Sequence, residues 1–251
     1  MAKRPLKTLV ITSKITFVPD NYDFLITGLA ACPQVGGLLI LDNGGFSNFI
    51  KSIGAMLKGA YRIGLTLFTN RFGNSQQRRE HAYQSQGKPV WTVKRLNSDE
   101  ALRIIAEHQF DLLLNARTRA FFQEGLLATP ALGAINIHHG MLPEQRGTMC
   151  DLWSLSNAEP CGFSIHKMTS EIDAGEIIKT VTVSDGTDKD YVKYLEKSSR
   201  RELLAVCEIL KDIEKAGKIN GYPNIKSGVT PMRTDPTRKD IKEIKRRALQ
   251  I

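Results

Sequence analysis

No apolar run in this 251-residue chain approaches the roughly 18–20 residues that a membrane-spanning helix needs. An apolar stretch does follow the basic start MAKRPLK. It is short and lacks a small-residue cleavage site, so we read it as the first strand of a cytoplasmic protein rather than a signal peptide. Cysteine is scarce: Cys32, Cys150, Cys161 and Cys207 are scattered with no CxxC pair. That argues against a metal site and against a disulfide framework. Cys150 stands near a polar motif, where a buried thiol is the preferred reading over a nucleophile. Glycine is missing from ITSKITFVPD, the segment after the first strand, so the backbone there cannot wrap closely around a phosphate. Internal repeats and low-complexity tracts are also absent.

What is present is the composition of an ordinary globular enzyme, 41% hydrophobic and 24% charged. The length suits one large α/β domain, or one domain with a short appendage. A net charge of +9 favours an anionic partner, but the excess is spread along the chain. Its densest run, PTRKDIKEIKRR, has helical spacing and reads as a solvated C-terminal helix.

Taken in order, Leu6–Ile11 reads as a buried strand and Thr12–Val18 as a loop, with Asp20 capping a helix over Tyr22–Ala31. Val35–Leu41 is a second strand. Phe46, Ile50, Ile53, Leu57 and Tyr61 then recur at helical spacing beside Lys51, Lys58 and Arg62. The preferred reading is a helix packed on the sheet, the other a membrane-surface helix. A polar helix ending at Gly87 and a strand over Pro89–Val93 follow. Asn97 and Glu100 suggest a capping box for a helix reaching His108. Phe110–Leu114 is a strand, Arg119–Leu127 a helix, Ala134–Ile137 a strand. After the strand GFSIHKM come Ile177–Val183 and a long helix from Asp188 to Ala216. Alternating strands and helices imply a Rossmann-like, mostly parallel sheet flanked by helices, with ligands beyond the strands' carboxyl ends. The NART and HHGMLP loops, after the fourth and fifth strands, both fall there. Residues 1–216 form the expected catalytic domain and 217–251 a C-terminal extension lying on the surface.

The densest chemistry lies in GAINIHHGMLPEQRGTMCDLW and GFSIHKMTSEIDAGEII. Asn136 and His138 are two apart on a strand and project from one face. Asp173, in the IDAG turn, is the nearest candidate to hydrogen-bond that imidazole. His139 and His166 are read as structural.

These stretches resemble the formyltransferases that use 10-formyltetrahydrofolate, among them the glycinamide ribonucleotide, methionyl-tRNA and sugar N-formyltransferases. Their shared core looks like NxHxSxLPxxRG followed, about one helix and one strand later, by (I/V/L)DxG. Asn136, His138, Leu142-Pro143, Arg146-Gly147 and Ile172-Asp173-Ala174-Gly175 stand at the matching positions. His139 and Gly140 depart from the Pro and Ser often found there. The resemblance implies transfer of a formyl group from 10-formyltetrahydrofolate, as co-substrate, to a primary amine of a small acceptor, for instance an amino-sugar nucleotide. It implies Asn136, His138 and Asp173 as catalytic residues and a cis Leu142–Pro143 bond. It places the donor against Arg119, Ala120, Phe121, Leu142, Ser170, Glu171 and Ile172. The acceptor is expected at Thr12, Ser13 and Lys14 after the first strand, and at Arg146. Without glycines in that loop, glycinamide ribonucleotide is expected to be a poor acceptor. Hydrolysis of the formyl donor is the rival enzymatic reading, and an RNA-binding module on an inactive fold the non-enzymatic one. The expected partner is a small-molecule amine acceptor, with no nucleic acid and no membrane. The oligomeric state stays open.

Overall fold

The computed structural model describes residues 4–251 except 44–45, 226–227 and 229–231. Seven strands form one sheet in the order β3-β2-β1-β4-β5-β6-β7. They are β1 (Thr8–Ser13), β2 (Val35–Leu41), β3 (Val90–Val93), β4 (Leu112–Asn115), β5 (Ala134–His138), β6 (Cys161–Lys167) and β7 (Ile177–Ser184). β1 to β5 run parallel; β6 and β7 are antiparallel to their neighbours. The carboxyl ends of β1, β4 and β5 therefore lie side by side along one edge.

Nine α-helices are found among the described residues: α1 (Asp23–Leu29), α2 (Phe46–Lys58), α3 (Tyr61–Phe72), α4 (Ser75–Gln84), α5 (Asp99–Glu107), α6 (Glu124–Ala128), α7 (Cys150–Ser156), α8 (Tyr191–Ala216) and α9 (Arg238–Arg246). β1 is buried along its whole length. Because strand side chains alternate, Val10 enters one core with residues of α1 and α8, while Leu9 and Ile11 enter a second with residues of α5. A sheet covered on both faces has no solvent face, which is why its parallel strands read as continuous apolar runs.

Several local expectations fail for identifiable reasons. Asp20 caps nothing: with Asn21 and Tyr22 it takes positive φ in a 3-10 turn, and α1 starts at Asp23. The turn is held from α4, where wholly buried Arg79 donates to Asp23 Oδ1 at 2.7 Å and to the Ser13 carbonyl at 3.1 Å. Ser98, not Asn97, caps α5. The Asn97 amide instead donates to the Phe121 carbonyl, and its oxygen accepts from Gln123 N–H, so the expected helix from Arg119 begins only at Glu124. Cys32 and Cys207, 175 residues apart, form a disulfide that sequence spacing gave no reason to expect. They meet because α1 packs along α8. The C-terminal helix is not fully solvated, since Ile241 and Ile244 bury one face of α9 in the larger core.

The largest correction concerns α2 and α3. Gly59, at φ 99°, breaks the single helix expected across Tyr61 into two. The apolar stripe does not face the sheet. Leu57 is 74% exposed and Phe72 70%, with Ile50, Ile53, Tyr61 and Leu65 exposed beside them. The inward positions of α2 are taken by buried Asn48 and Ser52 instead.

Candidate active site

His138 ends β5 and is 5% exposed. Its Nε2 lies 2.5 Å from the Gln145 carbonyl. A carbonyl only accepts, so Nε2 carries a hydrogen and donates it. Nδ1 is thereby the free side of the ring, and it faces Asp173 Oδ1 at 3.4 Å. Asp173 reaches this place because the connection from β6 to β7 folds back over the strand ends. Its backbone is in the left-handed region, φ 52°, a conformation that Asp tolerates better than most side chains. Two groups hold it. Gly147 N–H donates to Oδ2 at 3.0 Å, and the Asn224 amide donates to the carbonyls of Asp173 and Gly175, each at 2.9 Å. Gly147 has φ 102°, and a Cβ there would collide with the Arg233 backbone. A Cβ at Gly175 would strike the Lys167 carbonyl. Both motif glycines are thus required by close backbone approach. The Leu142–Pro143 bond is cis, as expected.

Asn136 lies one turn of the pleat before His138, and a chain of hydrogen bonds fixes its amide. The backbone N–H and hydroxyl of Thr118 both donate to Asn115 Oδ1, at 3.0 and 2.9 Å. Asn115 must then present Nδ2 to Asn136 Oδ1, at 2.9 Å. That leaves Asn136 Nδ2 pointing at His166 Nε2, 3.1 Å away. His166 pairs with Asn136 across β5 and β6, and its Nδ1 lies 2.7 Å from the Lys167 carbonyl, to which it donates. His166 is therefore the neutral Nδ1–H tautomer, accepting from Asn136. Burial, then the neighbouring His138, pushes its pKa down to about 4, which agrees. Its Nε2 is also 3.7 Å from Asp173 Oδ1. One hydrogen of Asn136 Nδ2 remains uncommitted. The structure thus brings Asn136, His138 and Asp173 together, with His166 between the amide and the carboxylate. Asn115, Thr118 and His166 were not read as site residues. The NART loop's position was the one signal for the first two, and strand register the signal for the third.

Behind His138 lies a second polar layer. Arg117 NH2 approaches His139 Nδ1 at 2.6 Å, and Asp151 Oδ2 approaches the same nitrogen at 3.2 Å. A guanidinium only donates, so Nδ1 accepts and the ring is neutral. Burial, then Arg117, takes its pKa down to about 4. Burial likewise pushes the Glu202 carboxyl, 3.3 Å from His139 Nε2, far above the usual range. At Asp151 burial opposes the charge, but the Arg117 guanidinium and the Tyr191 hydroxyl, which donates to Oδ1 at 2.9 Å, help to hold the carboxyl low. Cys150 is buried and its thiol is pushed strongly up, chiefly by burial, which leaves no thiolate for nucleophilic work.

The remaining expected contacts divide. Phe121 and Ile172 are exposed apolar side chains, Ser170 and Glu171 are exposed, Leu142 is buried and Ala120 packs on the smaller core. Arg119 is paired with Asp235 of the extension at 2.9 Å. Lys14 lies 3.5 Å from Asp42 and is partly exposed, whereas Ser13 is buried. Thr12 has 0% exposure, and a side chain with no surface offers no contact to a solute, so it leaves the acceptor set. Arg146 also turns elsewhere: its guanidinium donates to the Asn224 side chain and carbonyl, at 2.8 and 3.0 Å. It supports the residue that holds the Asp173 turn. Among the described residues no cluster of His, Cys, Asp or Glu could hold a metal ion, and no helix is long and apolar enough to cross a membrane.

The sequence model of the family described as "Formyl transferase" matches residues 40–204. The bifunctional polymyxin resistance protein ArnA of Wigglesworthia glossinidia brevipalpis is 31% identical over 110 residues, covering 43% of this chain and 17% of that protein. Methionyl-tRNA formyltransferase of Staphylococcus aureus is 35% identical over 91 residues, covering 36% and 29%. The matched segments thus span less than a third of these relatives' lengths. Among solved structures, a sugar N-formyltransferase from a Shewanella species superposes with a TM-score of 0.59 at 17% identity, covering 96% of this chain and 87% of that one. Phosphoribosylglycinamide formyltransferase from Anaplasma phagocytophilum gives 0.58 at 18%, covering 93% and 100%. At such identities the likeness is one of fold.

Proposed function

This chain belongs to the formyl transferase family, and from that premise we propose that it transfers a formyl group from 10-formyltetrahydrofolate to a primary amine of a small acceptor. The observation that carries the reading is the His138–Asp173 pair: one imidazole nitrogen is locked to a carbonyl and the other faces a carboxylate at 3.4 Å. That is the arrangement of a base whose proton-accepting atom is chosen in advance.

In the proposed reaction the acceptor ammonium gives a proton to Nδ1 of His138, and Asp173 stabilises the imidazolium formed. The amine lone pair attacks the formyl carbon, and the carbonyl electrons move to oxygen. The uncommitted Nδ2 hydrogen of Asn136 receives that oxyanion, its direction already fixed through Asn115 and His166. Collapse breaks the bond to N10 of the folate, which takes the proton from Nδ1. The formamide carries one N–H where the ammonium carried three, so a second proton leaves the acceptor nitrogen for solvent once the tetrahedral intermediate has formed. The proton held on Nδ1 goes to N10, and the enzyme ends as it began. Phe121, Ile172 and the segment around Leu142 are the proposed donor-side surface. Residues 1–216 would supply the catalytic groups, with Asn224 of the extension bracing the Asp173 turn.

For the acceptor, the partly exposed Lys14 remains the candidate side chain, with buried Ser13 beside it. The backbone N–H groups of Lys14, Ile15, Thr16 and Val18 are engaged by Leu41, Asn43, Asn21 and Thr16. They are not free to cradle a phosphate, which supports glycinamide ribonucleotide being a poor acceptor. The test is incubation with 10-formyltetrahydrofolate and a panel of amines, including amino-sugar nucleotides, with tetrahydrofolate release and formylated product followed together. Matched product and release is the expected result. Release at the same rate without any amine would replace transfer with hydrolysis.

A further inference from the structure

The α2–α3 pair is built inside out, and nothing in the proposed chemistry uses it. On α2, Ile50, Ile53 and Leu57 fall at helical spacing on one exposed face, while polar Asn48 and Ser52 turn inward. The inward polar groups are satisfied locally: Asn48 donates to the Asn43 carbonyl at 2.6 Å and Ser52 to the Phe49 carbonyl at 2.7 Å. On α3, Tyr61, Leu65 and Phe72 continue the exposed apolar set. The two helices are locked together at Gly64, where a Cβ would lie 2.6 Å from Met56 and 2.8 Å from the Ser52 carbonyl. A contiguous apolar surface of this kind marks a docking site.

The charges of the segment itself are of one sign, with Asp190 paired to Arg62 and Asp235 near Lys58 as the acids brought beside it. From Asn43 to Arg79 the sequence contains no Asp or Glu, but it contains Lys51, Lys58, Arg62, Arg71, Arg78 and Arg79. The lysines Lys51 and Lys58 are exposed. Lys245 of α9 adds another cation, its Nζ 5.1 Å from the centre of the Tyr61 ring. A second copy docked by two-fold symmetry would set this basic segment against the same basic segment, which has no acid of its own to pair Lys51 and Lys58. An amphipathic face of apolar side chains rimmed by lysines fits a layer whose surface is anionic and whose interior is apolar.

We propose that the α2–α3 face docks reversibly on an anionic lipid bilayer, lying in the plane of the headgroups. This departs from the expectation of no membrane partner, which rested on the missing span. Docking would also act on the loop after β1, because Asn70 near the end of α3 donates to the carbonyls of Thr16 and Val18, at 2.9 and 2.7 Å. That loop would then open beside the bilayer surface.

Flotation of the full chain with phosphatidylcholine vesicles, with and without phosphatidylglycerol, tests the proposal without reference to formyl transfer. The protein is expected to float with the anionic vesicles, and salt at about 0.5 M should weaken the association. The double variant Lys51→Glu, Lys58→Glu should lower partitioning by about thirtyfold or more. Leu57→Asp, at an exposed position that folding does not need, should lower it while leaving the circular dichroism spectrum unchanged. No association with anionic vesicles at any lipid concentration would overturn the proposal. So would equal binding by Leu57→Asp, or a dimer in sedimentation velocity that Leu57→Asp dissociates while wild type ignores vesicles.

Discussion

Replacing Asp173 by Asn removes one charge from the proposed pair and little else. The new side chain keeps an oxygen for Gly147 N–H, so the turn that now places Oδ2 3.0 Å from that nitrogen has reason to persist. What is lost is the attraction between carboxylate and imidazolium. At the 3.4 Å separation of Oδ1 and Nδ1, a unit charge pair in a medium of effective dielectric about 20 is worth roughly 5 kcal/mol before solvation losses. If about 3 kcal/mol of that survives in the transition state, kcat falls about a hundredfold. A second effect has the same sign. Nε2 stays hydrogen-bonded to the Gln145 carbonyl, and the new amide can donate into Nδ1, occupying the lone pair that must take the proton. The assay is steady-state formyl transfer with the best acceptor from the amine panel, alongside thermal unfolding. We expect a fall of about a hundredfold in kcat with KM for both substrates changed by less than about threefold. A kcat within about threefold of wild type, in a folded variant, would refute the assignment of Asp173.

Asn115→Ala should lower kcat by about tenfold, since Asn136 loses the partner 2.9 Å from its Oδ1 that fixes its amide; unchanged turnover would show that His166 alone orients it. Asn224→Ala withdraws the hydrogen bonds to the Asp173 and Gly175 carbonyls and the partner of Arg146. Thermal unfolding should show a loss of about 1–3 kcal/mol, and kcat should fall with it; turnover equal to wild type would remove the extension from the site. His139 and His166 titrate near 4 in the fold against an ordinary 6.5, both chiefly through burial. Between those values the unfolded chain binds more protons than the folded one, so stability is full at neutral pH and is lost as pH falls from 6.5 towards 4. A Tm that is flat down to about pH 4.5 would contradict this, and His139→Gln should make the decline shallower.

The succession of strands along the chain and the residues of the candidate motif were legible in the sequence because both depend on local spacing. Apolar runs such as Val35–Leu41 announce strands buried on both faces, and the single residue between Asn136 and His138 places both on one side of β5. Asp173 of the IDAG turn could be named with His138 as its expected partner, and the two do meet at 3.4 Å. That His166 sits between the carboxylate and the amide, and that Asn115 and Thr118 set the amide's direction, are consequences of strand register and of a connection folding back. The Cys32–Cys207 disulfide depends on α1 lying along α8, across 175 residues of sequence. The roles of Arg146 and Asn224 depend on the extension returning to the Asp173 turn. Periodicity showed that α2 has an apolar face, but a period carries no sign: it cannot say whether that face looks inward or out. Only the packing of Asn48 and Ser52 against the protein decided that it looks out.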